Sequence, residues 1–223
     1  DFRTHITEQR WNGLIEKIKS FELEVEKKNK LNIKENKFNK DLVFDNPIKV
    51  INSDGFITLS FDQISLKLNL RKGISIYSYE NKSLSDKKLI GTINQGFFED
   101  IKWSADFYSG HLVYERPGMH KLTDLLPKEP YLQKYKDRNE VSIDFETELG
   151  KMTKKITFKY PSGDINISYL INWDKESIGS LRLGNITLIP DSFNISELCY
   201  IIGNINDPLN KFYLNKNFNH GSS

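Results

Sequence analysis

Two rhythms of apolar residues divide this chain. Over "THITEQRWNGLIEKIKSFELEVEKKN", Thr4 to Asn29, Trp11, Leu14, Ile15, Ile18 and Val25 recur at the spacing of one helix face, with Phe21 and Leu23 flanking the stripe. Thr7 suits the N-cap, and Glu8 stands in the first turn, where the helix dipole favours an anion. The pattern predicts a helix over residues 1–28 whose apolar stripe packs on its own domain or on a neighbour. Residues 29–46 are rich in lysine and asparagine with isolated apolar positions, and read as a solvated linker.

From Pro47 onward the period falls to two. "GFITLSF", "ISLKLNL" and "GISIYSY" alternate cleanly, and Asp54-Gly55 marks a turn before the first of them. "VSIDFETELGKMTKKITFKY" reads as a hairpin, with Gly150-Lys151 as a two-residue turn that has glycine first. That register sets Phe145 opposite Ile156, Ile143 opposite Phe158, Val141 opposite Tyr160 and, on the other face, Glu146 opposite Lys155. "INISYLINW" and "LRLGNITLIP" are two more strands, with "PSGD" turning into the first. So many strands without intervening helices predict a mainly β fold, an antiparallel sandwich or barrel over residues 47–223. The chain opens at Asp1 without methionine and stops at "NFNHGSS" just after a strand-like "KFYL", which reads as a piece of something longer.

Composition narrows the function classes. Lysine and arginine number 32 against 30 acidic residues, so charge gives no reason to expect nucleic acid or a membrane surface as partner. No apolar run approaches the roughly 20 residues of a spanning helix. The single cysteine, Cys199, has no intrachain partner and sits in an apolar run, which points to a core position and a reducing, cytoplasmic setting. Four N-x-S/T sequons, at Asn81, Asn166, Asn185 and Asn194, are what chance supplies in a chain this rich in Asn, Ile and Ser. There is no phosphate loop, no G-x-G-x-x-G and no G-x-S-x-G elbow, and no cofactor is expected.

Two places concentrate polar chemistry. Asp144, Glu146 and Glu148 share one strand face with neighbours roughly 7 Å apart, a spacing usable in glycoside hydrolysis. A cross-strand lysine beside Glu146 is instead ordinary pairing on a wet face. The denser stretch is "HLVYERPGMHKLTDL", His111 to Leu125. As a strand it places His111, Val113 and Glu115 on one face and Leu112 and Tyr114 on the other. Pro117-Gly118 then turns the chain so that His120 can return near Glu115. Upstream, "DIKWSADFYSG" adds Trp103, Asp106 and Tyr108. A face carrying Trp103, Asp106, Tyr108, His111, Glu115, Arg116 and His120 suits a sugar: aromatic rings cover C–H groups and forked charges bond hydroxyls. The alternative is a structural Glu115–Arg116 pair with histidines at a sheet edge. The spacing fits no recognised metal-ligand pattern.

"DFRTHITEQRW" at the start, and "KWSADFY" followed by "SGHLVYERPGMHKLTDL", resemble the segment after the catalytic barrel in bacterial glycoside hydrolase family 57-type proteins. The resemblance covers essentially the whole chain. It implies an antiparallel β-supersandwich of the galactose-mutarotase-like kind with one N-terminal helix, appended to a barrel that processes α-glucans or related glycans. Residues 1–28 would end the connection from that barrel, 29–46 would link, and the sandwich of 47–223 would be interrupted at its C-terminus. The family's nucleophile and acid belong to the barrel, so no catalytic residue carries over. The partners implied are an oligo- or polysaccharide and the barrel of the same parent chain. Two other readings stay open: a mutarotase-like epimerase using His111 and a carboxylate as acid and base, and a purely structural module.

Overall fold

A computed structural model describes residues 16, 34–35, 46–93, 108–174, 178–194, 196–203 and 209–213. The predicted N-terminal helix, together with Trp103 and Asp106, lies outside the described residues, apart from Glu16. The described chain is mainly β, in antiparallel sheets, consistent with a β-sandwich. In chain order the strands are β1 (Lys34–Glu35), β2 (Lys49–Ser53), β3 (Phe56–Phe61), β4 (Ile64–Asn69), β5 (Ser75–Asn81), β6 (Ile90–Gly91), β7 (Leu112–Glu115) and β8 (Leu122–Thr123). They continue with β9 (Tyr131–Lys134), β10 (Arg138–Thr147), β11 (Gly150–Lys159), β12 (Ile165–Trp173), β13 (Ser180–Leu183), β14 (Cys199–Ile202) and β15 (Asn210–Tyr213).

One five-stranded sheet is the simple meander β2-β3-β4-β5-β6. Its first turn is Asp54-Gly55, with φ of 52° and 75°, so both central residues take the left-handed conformation that matches the strand twist of a two-residue hairpin. After β4 a 3-10 turn at Leu70–Lys72 begins under the Asn69 side chain, which accepts a hydrogen bond from the Arg71 N–H at 3.0 Å. The second sheet has the order β1-β9-β10-β11-β12. Its first strand, Lys34–Glu35, falls within the stretch read as a linker and pairs parallel with Tyr131 and Leu132. Two smaller sheets, β13-β7-β8 and β14-β15, complete the described strands.

The two large sheets share one core. Ile57, Leu59, Phe61, Leu66 and Leu68 from the first meet Val141, Ile143, Phe145, Met152, Ile156 and Phe158 from the second. Phe61 and Phe158 touch across the gap with ring centroids 5.3 Å apart. Each side chain of this size, fully buried, contributes about 1.5–3 kcal/mol relative to exposure. Polar ties cross the gap as well: the Tyr79 hydroxyl donates to the Gly163 carbonyl at 3.2 Å, and Asn46 Nδ2 donates to Asn139 Oδ1 at 2.6 Å.

Two strand expectations need correction. The β10–β11 turn is Glu148-Leu149, not Gly150-Lys151, so Phe145 faces Met152, Ile143 faces Lys154, Val141 faces Ile156 and Glu146 faces Lys151. The register differs by four residues, an even number, so every inward position stays inward. The Thr147 hydroxyl accepts from the Leu149 and Gly150 N–H groups at 3.2 Å, which closes the turn two residues early. Gly150 serves another purpose: a Cβ there would come within 2.4 Å of the Asn172 carbonyl oxygen, so only glycine lets β12 finish against the hairpin. Second, "LRLGNITLIP" is not one strand. β13 ends at Leu183 because Gly184 turns the chain with a φ of 64°, and a 3-10 turn follows at Pro190–Ser192.

Candidate functional site

The polar stretch from Tyr108 to Leu125 builds a hairpin, β7 against β8, preceded by a short segment threaded into the core. Tyr114 pairs with Leu122 and Val113 with Thr123. Upstream, Ser109 is fully buried; its hydroxyl donates to the Gly91 carbonyl at 2.6 Å and accepts the Thr187 N–H at 2.8 Å. The Gly110 N–H donates to the Asn185 carbonyl at 2.6 Å, and the His111 carbonyl accepts the Gly184 N–H at 2.9 Å. Backbone groups that a loop would expose to water are satisfied internally, which is what lets this segment run inside the protein.

This threading decides where the sequence-predicted residues go. His111 is fully buried, its ring edge-on to that of Tyr108 with centroids 6.2 Å apart, and Tyr108 is buried too. The Arg116 guanidinium is buried, pairs with the carboxylate of Glu148 at the tip of the β10–β11 hairpin and lies 5.9 Å from the Tyr114 ring. Tyr108, His111 and Arg116 therefore do not line an open face. Glu115 pairs not with Arg116 but with Lys121 Nζ at 2.8 Å and Arg182 at 2.9 Å. The hydrogen bond and charge of Lys121, then those of Arg182, hold its carboxyl below the ordinary glutamate value. Lys121, rather than His120, makes the return contact across the turn, and His120 is exposed. Asp144 and Glu146 are exposed as well, Asp144 accepting a hydrogen bond from the Thr153 hydroxyl at 2.7 Å.

Beneath this hairpin lies a charged centre that the sequence reading did not single out. Asp124, just after β8, and Lys154, in the middle of β11, are both fully buried. Lys154 Nζ donates to Asp124 Oδ2 at 2.9 Å and to the Gly73 carbonyl at 2.7 Å. The Tyr169 hydroxyl, from β12, stands 3.0 Å from Asp124 Oδ2 and 3.2 Å from the Gly110 carbonyl. Asp124 Oδ1 accepts the Leu112 N–H at 2.9 Å. One carboxylate thus gathers donors from β7, β11 and β12, while the lysine reaches across to the turn between β4 and β5. Gly73 makes that approach possible: its φ is 57°, and a Cβ there would lie 1.8 Å from the Asp124 carbonyl oxygen.

The electrostatics follow from burial. Loss of water pushes the Lys154 ammonium down from its ordinary value, and the Asp124 charge opposes that shift. Burial first, then the same carboxylate, pushes the Tyr169 phenol well above its ordinary value. Two charges out of water are stable only as a pair with their remaining hydrogen bonds made, and removing one partner typically costs about 3–5 kcal/mol. With three donors on it and no exposed surface, the Asp124 carboxylate joins strands and has no open approach for a substrate. Among the described residues, no cluster of three or more His, Cys, Asp or Glu could hold a metal ion. No helix among them is long and apolar enough to cross a membrane.

A signal for this centre was present in the chain. In "MTKKITF" the inward positions of the two-residue period are Met152, Lys154, Ile156 and Phe158. A lysine in an inward row calls for a buried anion, and Asp124 ends the very hairpin that drew attention for its histidines. Compared with known proteins, the chain matches no family model, no curated protein and no solved structure.

Proposed function

We propose that this chain is a non-catalytic β-sandwich module of a larger glycan-processing protein, an accessory to a barrel acting on α-glucans or related glycans, and that its polar centre fastens the sandwich. The observation supporting a fastening role is the sealed Asp124–Lys154–Tyr169 network, which takes donors from one large sheet and from the hairpin and reaches an acceptor, the Gly73 carbonyl, in the β4–β5 turn of the other, with no atom of Asp124 or Lys154 exposed. The glycan context rests on the resemblance of the "KWSADFY" and "SGHLVYERPGMHKLTDL" phrases. An epimerase would need His111 at a surface, and its complete burial speaks against that chemistry.

A sugar-facing surface has one observation in its favour. Glu115, with side-chain exposure of 41%, lies between Lys121 and Arg182 at the turn end of the hairpin, a polar group of the kind that bonds hydroxyls. One paired experiment separates the readings: calorimetric titration with maltooligosaccharides and mannooligosaccharides, beside assay of reducing-sugar release. The module reading expects no hydrolysis and binding that is weak and lost in Glu115→Ala without a change in melting temperature. Hydrolysis by the purified chain, abolished by Glu146→Gln, would overturn it.

A further inference from the structure

β12 is an edge strand of its sheet: among the described residues it pairs on one side only, with β11. It is nine residues long, and "INISYLINW" contains no charge and no proline. Natural sheets usually protect an open edge with lysine, proline or a bulge, because its unpaired N–H and C=O groups will pair with another strand. Within β12 itself there is no lysine, proline or bulge, and among the described residues no strand covers its outer edge.

The phase of the ladder shows which groups are open. The Asp174 N–H donates to the Leu149 carbonyl at 2.8 Å, and the Lys159 N–H donates to the Asp164 carbonyl at 3.0 Å, at the two ends of the β11–β12 register. Hydrogen-bonded pairs recur every second residue, so the even-numbered residues of β12 point their backbone groups at β11. Ile165, Ile167, Tyr169, Ile171 and Trp173 point theirs at the open edge. These are also the half-buried, core-facing side chains of the strand, whereas Asn166, Ser168, Leu170 and Asn172 face solvent, Leu170 with 61% exposure.

We propose that β12 pairs antiparallel with β12 of a second copy of this chain, about a two-fold axis at Tyr169, joining two five-stranded sheets into one of ten. The strand itself supplies the argument for this occupant, since it reads nearly the same in both directions. Centred on Tyr169, Ile167 stands opposite the second copy's Ile171, Asn166 opposite Asn172, Ile165 opposite Trp173 and Ser168 opposite Leu170. Like meets like in these pairs except where Ser168 faces Leu170, each contact is made reciprocally as a two-fold interface requires, and every hydrogen-bonded pair in this register uses the odd-numbered residues whose groups are open. The same register sets Asp164 opposite the second copy's Asp174 at each end, a like-charge contact that salt screens.

The test is sedimentation of the full chain across micromolar concentrations at low and high salt. A monomer–dimer equilibrium that shifts toward dimer with added salt is expected. Ser168→Glu with Leu170→Glu places like charges opposite each other across the new pairing, and within the chain sets position 168 against Lys155. This variant should remain monomeric while melting like the parent. In a Cys199→Ser background, mixing Ser168→Cys with Leu170→Cys chains should give a disulfide-linked dimer, because non-hydrogen-bonded pairs bring Cα atoms to about 4.5 Å. Asn166→Cys mixed with Leu170→Cys should not. A parent that stays monomeric at every concentration overturns the proposal. So does a dimer that survives the double glutamate variant or fails to form the 168–170 link.

Discussion

At the scale of single residues, the buried pair is the sharpest test of how this chain is held together. Asp124→Ala leaves the Lys154 ammonium without its anion in a site that excludes water, and should cost about 3–5 kcal/mol in urea denaturation. Replacing both partners with apolar residues of similar volume, Asp124→Leu with Lys154→Met, should cost clearly less than the sum of the single changes, because no orphaned charge remains. A double change as costly as the sum would mean that the two residues do not act as a pair. Tyr169 gives a pH test. Its folded phenol lies above the ordinary value of 10.0, so the folded state holds this proton more tightly than the unfolded state. That contribution is fully present below pH 10 and is lost as pH rises above it. The stability advantage of the parent over Tyr169→Phe should therefore shrink between neutral pH and about pH 11. An advantage that grows over that range would reverse the assignment.

At the scale of elements, the turns decide which strands can meet. Gly73 and Gly118 share the same backbone region, with φ of 57° and 70°, but not the same surroundings. An alanine at Gly118 meets nothing within 4 Å, and should cost only the roughly 1–2 kcal/mol of a left-handed residue. At Gly73 the added methyl would collide with the Asp124 backbone, so Gly73→Ala should cost distinctly more and weaken the contact between the β4–β5 turn and the hairpin. Equal losses in thermal melting would show that the close approach is not a constraint. The β10–β11 hairpin illustrates legibility at this scale. Alternation identified both strands and their inward faces, but the register depended on whether Thr147 or Gly150 shaped the turn. Glycine is a strong turn signal in a bare sequence, and the demand that β12 makes on Gly150 comes from a strand more than ten residues later.

At the scale of the whole molecule, one core serves both large sheets, so they should unfold together. Phe158 packs on Phe61 across the gap, and Phe158→Ala should lower stability by about 3–5 kcal/mol while leaving a single transition. Far-ultraviolet circular dichroism and the fluorescence change from Trp173, which sits in β12, should then give coincident curves. Separate transitions would divide the sandwich into independent halves.

The mainly β class, the antiparallel hairpins and the inward rows of β3, β4, β10 and β11 were determined by the sequence alone, because the two-residue period is a local property of a pleated strand with one dry face. The place of the polar stretch was not. His111, Glu115, Arg116 and His120 are neighbours in the chain, yet one is sealed in the core, one is held by Lys121 and Arg182, one reaches Glu148 and one faces solvent. Asp124, Lys154 and Tyr169 are far apart in the chain and meet at hydrogen-bonding distance. Whether an ionisable side chain is exposed chemistry or an internal tie depends on what the other strands lay over it, and only tertiary packing sets that.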